Sequence, residues 1–415
     1  MEQPLSRLFY TLVLYALFPF VLLRLLFRAR KQASYLSHLP ERFGFYKSEQ
    51  NEKVIWIHAV SVGETRAAAP LLERLMAAYP DFHFLVTHMT PTGRETGEKL
   101  YGDRATICYL PYDYPFAVSR FLKHFRPRAG ILMETELWFN LIHRCRKYDI
   151  PLFLVNARLS EKSLGGYLSI ERLAKQGISE LAGIAAQTEA DAARLERLGA
   201  ENVSICGNLK FDVPVPEKIE DFRKLLDERP AFLAASTREG EEEAIIEAFE
   251  KIEGLLLIIV PRHPQRFGEV EAILKTRGIR YVKRTENRKI DHDTKVFLGD
   301  SMNEMYAYYS SCDCAYIGGS LLPFGGQNLI EAASLGKPVF FGPHTYNFEE
   351  ACDLALRSGA AIRVKNAREL ADAASALLAA PEKMKEMGEA AIRFASKNRG
   401  AVQKIMDLVS PFIGK

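Results

Sequence analysis

Short apolar runs rich in β-branched residues alternate with helical patterns along most of the chain, and this alternation restricts the fold more than any other feature. Seven such runs lie in the first half, at 54–60, 82–87, 105–110, 129–133, 152–156, 183–186 and 203–206. Six more lie in the second half, at 232–235, 255–260, 280–282, 296–298, 314–317 and 339–341. A series of this kind predicts parallel sheets covered by helices on both faces.

The length of the chain predicts two domains. Its 415 residues exceed the roughly 250 to 300 residues that one hydrophobic core organises. Pro214, Pro216 and Pro230 surround a charged segment between the two series of runs, as is typical of a connection. We therefore expect two Rossmann-like, doubly wound α/β domains facing a cleft, at 32–209 and 231–398. The connection would span 210–230, and a C-terminal helix at 399–415 is a candidate to return to the first domain.

The N-terminal segment is apolar and is followed by basic residues. No charge occurs from Leu8 to Leu23, a stretch of about 24 Å as a helix, and Arg24, Arg28, Arg30 and Lys31 follow it. A cleaved signal peptide is disfavoured because the charges follow the apolar run; a buried core helix is the remaining alternative. We expect residues 1–31 to form a single N-terminal anchor in the inner membrane, spanning it or lying in its interface, with everything downstream on the cytoplasmic face.

Glu64 follows the first apolar run. Gly63 permits a sharp turn, and Glu64 is expected to open an amphipathic helix through Ala77. The residue would thus lie at the carboxyl end of a strand, where open α/β sheets bind ligands. The alternative is an acid that only complements the helix dipole in a first turn.

Several loops in the second half have features of a phosphate site. Gly325 and Gly326 would let backbone approach a ligand, and a helix beginning near Gln327 would aim N–H groups at it, with Glu331 one turn inside. An ordinary glycine turn before a helix is the alternative. Further candidates after other strands are Ser236, the Arg262–His263 pair, and Ser301 with Glu304, which fit a capping box. Neither a GxGxxG motif after the first strand of either half nor a P-loop motif is present.

Charge and cysteine content narrow the classes of partner. Residues 1–210 hold 27 Lys/Arg against 21 Asp/Glu, whereas the remainder holds 28 against 31. An anionic membrane surface is predicted to meet the basic cluster of the first half, which comprises Arg120, Lys123, His124, Arg126, Arg128, Arg144, Arg146 and Lys147. A solvated helix face is the alternative, and nucleic-acid binding is not expected. The six scattered cysteines and the Asp291–His292–Asp293 string do not predict a metal site, so no metal and no cofactor is expected.

Motifs spread over residues 54–348 together resemble one family. They are HAVSVGE, THMTPTG, LPYD, METELW, NARLSEKS, GNLKFD, VPRHPQRF and GPHTYNF, and the preceding RFGFY also fits. The set resembles the bacterial 3-deoxy-D-manno-octulosonic acid (Kdo) transferases. The resemblance implies a two-domain glycosyltransferase of the GT-B type that transfers Kdo from CMP-Kdo to a lipid A precursor (lipid IVA) at the cytoplasmic membrane face. It also implies inversion of the anomeric centre without a bound metal.

The resemblance implies roles for individual residues. Glu64 would be the general base, and Glu134 and Lys210 would stabilise the transition state. The first domain would bind the acceptor, and the second would bind CMP through Arg262, His263, Met302, Asn303, Glu304, Asn328 and Glu331. Ser236, Gly325, Gly326 and Gln327 are secondary candidates. The chain departs from the family pattern at Arg238, Gln327 and Leu329, where His, His and Pro are common, and at Phe139, where Pro is common.

Two other functions are kept as alternatives. The same architecture serves transferases or epimerases that use a UDP-sugar, and a membrane-bound nucleotide sensor without catalysis would retain the nucleotide loops. Because Glu64, Glu134 and Lys210 are all present, the catalytic alternatives are favoured over the sensor.

Overall fold

The computed structural model describes residues 3–47, 53–212 and 215–414. The chain divides into two compact units. Unit 1 comprises Met1–Val213 and Arg399–Lys415, and unit 2 comprises Pro214–Asn398. Each unit is built around its own seven-stranded sheet.

The sheet of unit 1 is entirely parallel. Its strands are β1 (Val54–His58), β2 (His83–His88), β3 (Ala105–Tyr109), β4 (Ala129–Met133), β5 (Leu152–Ala157), β6 (Gly183–Ala186) and β7 (Val203–Ile205). Their order is β3-β2-β1-β4-β5-β6-β7, and every neighbouring pair runs parallel. Strand order reverses beside β1, which is where doubly wound sheets place ligands.

Helices cover both faces of this sheet. They are α1 (Gln3–Ala16), α2 (Phe18–Lys31), α3 (Val62–Ala67), α4 (Ala69–Ala78), α5 (Pro91–Tyr101), α6 (Pro115–Phe125), α7 (Phe139–Lys147), α8 (Glu161–Leu168), α9 (Glu171–Ser179) and α10 (Glu189–Arg197). Side chains of β1 alternate between the two layers: Trp56 packs with the α6 and α7 side, whereas Ile55 and Ile57 pack on the opposite side. All five residues of β1 are buried, as expected for a strand covered on both faces.

The last helix of the chain belongs to unit 1. Helix α18 (Ala401–Ile413) buries Ile405 and Val409 in the same cluster as Ile55 and Ile57. Its amino terminus is held by Asp212, whose carboxylate accepts hydrogen bonds from Gly400 N at 2.6 Å and Val402 N at 2.5 Å. A carboxylate at this position satisfies N–H groups that lack an intrahelical partner and opposes the helix dipole.

The predicted N-terminal helix is broken in two. Helices α1 and α2 meet at Leu17, with Pro19 in the first turn of α2. Because proline has no N–H and clashes with the preceding turn, one continuous helix from Leu8 to Leu23 is wrong. Among the described residues no single helix meets the length and hydropathy needed to cross a bilayer; Ser6–Ala16 and Phe18–Arg30 meet them together, with a 49° bend.

One side of this helix pair packs on unit 1 and the other is exposed. Tyr10 donates a hydrogen bond to the buried Asp113 at 2.9 Å, and its ring packs edge-on against Phe139. The exposed side is apolar, and its large residues include Leu8, Phe9, Leu12, Phe20, Leu23 and Phe27, each more than half exposed. A contiguous apolar surface of this kind marks an interaction site.

Unit 2 also contains a parallel, seven-stranded sheet. Its strands are β8 (Ala231–Thr237), β9 (Leu256–Pro261), β10 (Tyr281–Lys283), β11 (Val296–Leu298), β12 (Cys314–Ile317), β13 (Val339–Phe341) and β14 (Ala361–Arg363), in the order β10-β11-β9-β8-β12-β13-β14. The helices are α11 (Glu241–Phe249), α12 (Gln265–Thr276), α13 (Met305–Ser311), α14 (Ile330–Ser334), α15 (Glu349–Arg357), α16 (Ala367–Leu378) and α17 (Pro381–Lys397).

All thirteen predicted strands are confirmed, with ends that differ by one or two residues. Strand β14 was not predicted. Its three residues Ala361, Ile362 and Arg363 are too few to form a distinct apolar run, and pairing with β13 is what defines them as a strand.

Replacing Asp212 by Ala should destabilise unit 1, because two N–H groups at the start of α18 would lose a charged acceptor. The expected loss is about 1–3 kcal/mol in the free energy of unfolding. Thermal or urea denaturation would measure it. The matched control is Asp407→Ala, which removes an exposed carboxylate of α18 that accepts a hydrogen bond from Gln403 in the same helix. Equal stability of the two variants would contradict a capping role for Asp212.

Candidate functional site

Three predicted residues of unit 1 belong to the carboxyl edge of its sheet. Glu64 follows β1, Glu134 follows the neighbouring strand β4, and Lys210 follows β7. Since all strands are parallel, the loops after them emerge at the same edge. The structure therefore brings the predicted catalytic residues to one rim.

The carboxylate of Glu64 is held by the turn between β1 and α3. Val60 N donates to Oε2 at 2.8 Å, and the Ser61 hydroxyl donates to Oε1 at 2.9 Å. Ser61 in turn caps α3 by accepting from Glu64 N at 3.4 Å. The arrangement resembles a capping box, but the glutamate accepts from the backbone N–H of Val60, one residue before the N-cap Ser61. Helix α3 begins at Val62, so Gly63 lies inside the helix and the expected turn at this residue is wrong.

The environment of Glu64 raises the pKa of its carboxyl to about 7. Burial is the largest cause, and the negative charges of Glu134 and Glu136 add to it, whereas the hydrogen bonds from Val60 and Ser61 act in the opposite direction. A carboxyl with a pKa near neutrality exchanges protons readily at physiological pH, which suits a general base. Capping alone requires no such pKa.

Glu134 occupies an unusual backbone conformation. Its φ is +59°, and its N–H donates to Val155 O on β5 at 3.0 Å. A left-handed glutamate costs backbone energy, and such residues cluster at functional sites. The next residue, Thr135, donates to Arg158 O at 2.5 Å, which ties this loop to the loop after β5.

Glu136 is a third acid at this rim and was not singled out from the sequence. Burial raises the pKa of its carboxyl, as does the charge of Glu134, while a hydrogen bond from Trp138 Nε1 at 2.6 Å opposes the rise. The METELW motif could have indicated it, since its two acids are separated by one residue. Glu64, Glu134 and Glu136 thus form an electrostatically coupled group.

The turn that carries Lys210 is held by side-chain amides that sequence reasoning missed. Asn156 Oδ1 accepts from Leu209 N, and Asn208 Oδ1 accepts from Lys210 N, both at 3.0 Å. Gln187, after β6, bridges the two asparagines: its Nε2 donates to Asn156 O at 2.9 Å and its Oε1 accepts from Asn208 Nδ2 at 3.0 Å. The Asn residues of NARLSEKS and GNLKFD were the available signal.

The predicted nucleotide residues of unit 2 also follow neighbouring strands. Ser236 is the next-to-last residue of β8 and has a φ of +55°. Arg262 and His263 follow β9, and Arg262 N donates to Thr237 O at 2.9 Å. Partial burial lowers the pKa of His263, and the guanidinium groups of Arg238 and Arg262 lower it further. A neutral imidazole beside two arginines forms a positively charged rim suited to phosphate.

Tyr309 lies within electrostatic reach of both Arg262 and Glu331. The tyrosine is buried in α13, which raises the pKa of its hydroxyl; the Glu331 charge raises this pKa as well, and Arg262 lowers it. Glu331 accepts from Asn328 Nδ2 at 3.1 Å. Residues of the loop after β9 and of α14 therefore share one electrostatic environment.

A buried carboxylate organises the loop after β12. Glu241 is 1% exposed and accepts hydrogen bonds from Gly319 N at 2.6 Å, Leu321 N at 3.0 Å and the Tyr316 hydroxyl at 2.7 Å. Its Oε2 also accepts from Arg238 N at 3.0 Å. Sequence reasoning did not single out Glu241, although a first-turn glutamate after a Ser-Thr-Arg turn was a visible signal.

Helix α14 begins at Ile330, so the predicted helix start near Gln327 is wrong. Gln327 N instead donates to Gly318 O at 3.1 Å, and Gly326 N donates to Gly319 O at 2.7 Å. Asn328 Oδ1 accepts from Ile330 N at 3.0 Å and thereby starts the helix. The N–H groups of Gly326 and Gln327 thus donate to backbone carbonyl groups of the preceding loop.

The absence of a side chain at Gly325 is explained by the neighbouring loop that carries Tyr346 and Asn347. Gly325 has a φ of +91°, and a Cβ on it would overlap the side chains of Tyr346 and Asn347. Asn347 Nδ2 donates to Phe324 O at 3.1 Å, which fixes this approach. Phe324 also lies under the guanidinium of Arg238, 4.4 Å from its ring centre.

The predicted Ser301–Glu304 capping box is also wrong. Helix α13 begins at Met305, so Glu304 is its N-cap residue and lies outside the first turn. Ser301 donates to Glu304, and Arg284 pairs with the same carboxylate at 3.0 Å. Met302 and Asn303 are exposed, and Asn303 has a φ of +65°. This turn after β11 leaves two predicted CMP-binding residues accessible.

A buried histidine and the Asp291–His292–Asp293 string both have partners within the protein. His88 is buried, with its Nδ1 2.7 Å from Ala59 O, and burial lowers its pKa to about 4. Asp293 and Asp291 pair with Arg280 on the surface. Within the described residues, no three His, Cys, Asp or Glu side chains are grouped to hold a metal ion.

Comparison with known proteins connects this geometry to a family. Residues 37–213 match a family model described as 3-deoxy-D-manno-octulosonic-acid transferase (kdotransferase), and residues 243–394 match one described as glycosyl transferases group 1. The 3-deoxy-D-manno-octulosonic acid transferase of Bordetella pertussis is 38% identical over 99% of this chain and 100% of its own length. The Haemophilus influenzae protein of the same description is 37% identical over 98% and 99%, respectively.

The fold is supported independently by a solved structure. UDP-GlcNAc 2-epimerase from Neisseria meningitidis superposes with a TM-score of 0.57 over 87% of this chain and 100% of its own, at 16% identity. Together with the two parallel sheets, this likeness supports a two-domain α/β fold of the GT-B type. With relatives matched over their whole length, the chain belongs to the 3-deoxy-D-manno-octulosonic acid transferase family of glycosyltransferases.

Proposed function

We propose that this protein transfers Kdo from CMP-Kdo to a lipid A precursor, lipid IVA, with inversion at the anomeric carbon and with Glu64 as general base. The observation that carries the proposal is the Glu64 carboxyl: it lies at the carboxyl edge of the sheet and its pKa is about 7. Membership of the transferase family supports the reaction class.

The proposed chemistry is a single displacement. An acceptor hydroxyl gives its proton to the Glu64 carboxylate as its oxygen bonds to the anomeric carbon of Kdo. The bond from that carbon to the phosphate oxygen breaks, and CMP leaves with the electron pair. One base opposite the leaving group is what such an inversion requires.

Lys210 and Glu134 are proposed to act on charge that develops during this step. An ammonium group favours the negative charge of the Kdo carboxylate or the departing phosphate, and a carboxylate favours positive charge at the anomeric carbon. The strained backbone of Glu134 and the amide-held turn of Lys210 support such roles, since both conformations are fixed before substrate binds.

CMP is proposed to bind at the rim of unit 2. Arg262 and His263 would hold the phosphate, while Asn328, Glu331 and the exposed turn of Met302, Asn303 and Glu304 would contact the nucleoside. The charges of Arg262 and Glu331 both act on the pKa of Tyr309, and this supports one continuous site. Ser236, Gln327 and the Gly325–Gly326 turn remain secondary candidates.

The exposed side of α1 and α2 is proposed to lie on the inner membrane, with both units on its cytoplasmic face. Its apolar residues would enter the lipid, and the exposed basic residues of unit 1, among them Arg120, Lys123, Arg126, Arg146 and Lys147, would meet anionic headgroups. Each basic residue near such a surface contributes about 1 kcal/mol. Docking of α1 on α7 through Tyr10 favours a helix pair lying in the interface.

The purified protein should convert lipid IVA into species heavier by one or more Kdo units when CMP-Kdo is supplied, because the acceptor and donor sites belong to one chain. Mass spectrometry of timed reactions measures this. CMP should inhibit the reaction more strongly than UMP. Absence of any mass increase, or equal inhibition by both nucleotides, would contradict the proposal.

Glu64→Gln should greatly lower turnover while leaving the fold intact. Glutamine retains an oxygen that can accept from Val60 N, so this hydrogen bond of the turn is kept. A glutamine side chain, however, does not take up a proton at physiological pH. We expect kcat to fall about a hundredfold or more with Tm close to wild type. The matched control is Glu73→Gln, on an exposed glutamate of α4 that pairs with Arg104. Turnover of Glu64→Gln near the wild-type level would exclude the base and leave Glu64 as a cap.

The rate of Kdo transfer should depend on pH through Glu64. Its folded pKa is about 7, and only the ionised carboxylate accepts a proton, so kcat should level above pH 7 and fall about tenfold per unit well below it. Initial rates between pH 5 and 9, at saturating substrates, measure this profile. The residual rate of Glu64→Gln should lack the inflection. An inflection that persists in that variant would assign it to another group.

A further inference from the structure

Five residues around the Lys210 turn are joined by four hydrogen bonds into a closed circuit within unit 1. Asn156 O accepts from Gln187, Gln187 accepts from Asn208, Asn208 accepts from Lys210 N, and Asn156 Oδ1 accepts from Leu209 N, with all four distances between 2.9 and 3.0 Å. The circuit joins the end of β5, the end of β6 and the turn after β7. It therefore sets the position of the Lys210 backbone relative to the carboxyl edge of the sheet.

The circuit is built at a cost in stability. Asn156 has a φ of +52° and interrupts the pairing of β5 with β6, whose register shifts between Leu154 and Ala157. Asn156 is fully buried, yet its Nδ2 has no acceptor among the described residues. A buried donor without a partner costs about 1–3 kcal/mol. Strain and unmet hydrogen bonds of this kind collect where a site, rather than stability, determines the geometry.

Simple support of the turn does not require this arrangement. The same turn is already held from its other end by Asp212, which caps α18, and by Leu209 and Phe211, which are buried. Those contacts fix the turn as a whole. The carboxamide circuit, in contrast, makes hydrogen bonds with residues 208–210, which include Lys210 and its two preceding neighbours.

We propose that Asn156, Gln187 and Asn208 are positioning residues for Lys210, which they hold at the sheet edge where the transferred group reacts. This inference rests on the proposed role of Lys210 in the transition state. The three amides do not touch the reacting atoms. Removing any of them leaves the ammonium group present but misplaced, and a displacement of about 1 Å at such a site lowers turnover by up to a hundredfold.

A double-mutant cycle tests this dependence. Gln187→Ala and Asn208→Ala would be measured alone and combined with Lys210→Ala, with kcat and KM for CMP-Kdo determined using lipid IVA as acceptor. Each single amide variant should lower kcat about tenfold or more. In the Lys210→Ala background the same changes should alter kcat by less than about twofold, because residues that act through one group are not additive.

Two further variants separate positioning from folding. Asn208→Asp keeps the oxygen that accepts from Lys210 N but loses the donor to Gln187 Oε1; because this residue is only partly buried, the new carboxylate should leave Tm near wild type while kcat falls. The matched control is Gln403→Ala, which removes an exposed glutamine of α18 whose side chain donates a hydrogen bond to Asp407. This variant should retain wild-type kcat.

The outcomes are distinguishable. Losses that multiply in the double variants, or wild-type kcat in both amide variants, would overturn the positioning role while Lys210 keeps its own. Wild-type kcat in Lys210→Ala would overturn the proposed role of Lys210 and the inference with it. A kcat loss in the single amide variants that vanishes without Lys210 supports the proposal.

Discussion

The parallel pairing of β1 with β4 and of β4 with β5 is the constraint on which the candidate site depends. Glu64 and Glu134 are about seventy positions apart along the chain, yet the loops that carry them emerge at one edge because the strands run in the same direction. Glu64, Glu134 and Asn156 owe their proximity to this pairing. The strands are buried on both faces, and at their carboxyl edge the charge of Glu134 raises the pKa of the Glu64 and Glu136 carboxyls.

Buried polar side chains shape both rims, by different means. In unit 1, carboxamides hold the Lys210 turn, and Asp212 binds the returning helix α18. In unit 2, the carboxylate of Glu241 gathers N–H groups of the loop after β12. A buried carboxylate is tolerated only when such donors surround it. These residues touch loop backbone, which explains how irregular segments keep defined conformations beside a site.

The predictions that failed did so for two kinds of reason, a contact from elsewhere in the chain or a local signal that was overlooked. The start of α14 was placed near Gln327, but Gly318 and Gly319 bind the N–H groups there, so helical bonding begins at Ile330. At Gly325 the absence of a side chain is needed for the close approach of Tyr346 and Asn347, a requirement that the sequence did not indicate. The N-terminal apolar run was read as one helix, and Pro19 breaks it; that signal was local and visible.

The sequence by itself determined thirteen of the fourteen strands, the α/β class, the strand that precedes Glu64 and the family resemblance. These follow from local periodicity and from motifs whose chemistry depends on neighbouring residues. Only the tertiary structure decided that Glu136 joins Glu64 and Glu134. It alone also decided that Asn156, Gln187 and Asn208 close a circuit around Lys210. In unit 2 it decided that Glu241 organises the loop after β12 of the same unit. Those relationships depend on strand order and on pairs of residues far apart in the chain, which periodicity does not encode. The pKa of Glu64 belongs with them, since burial and distant charges set it.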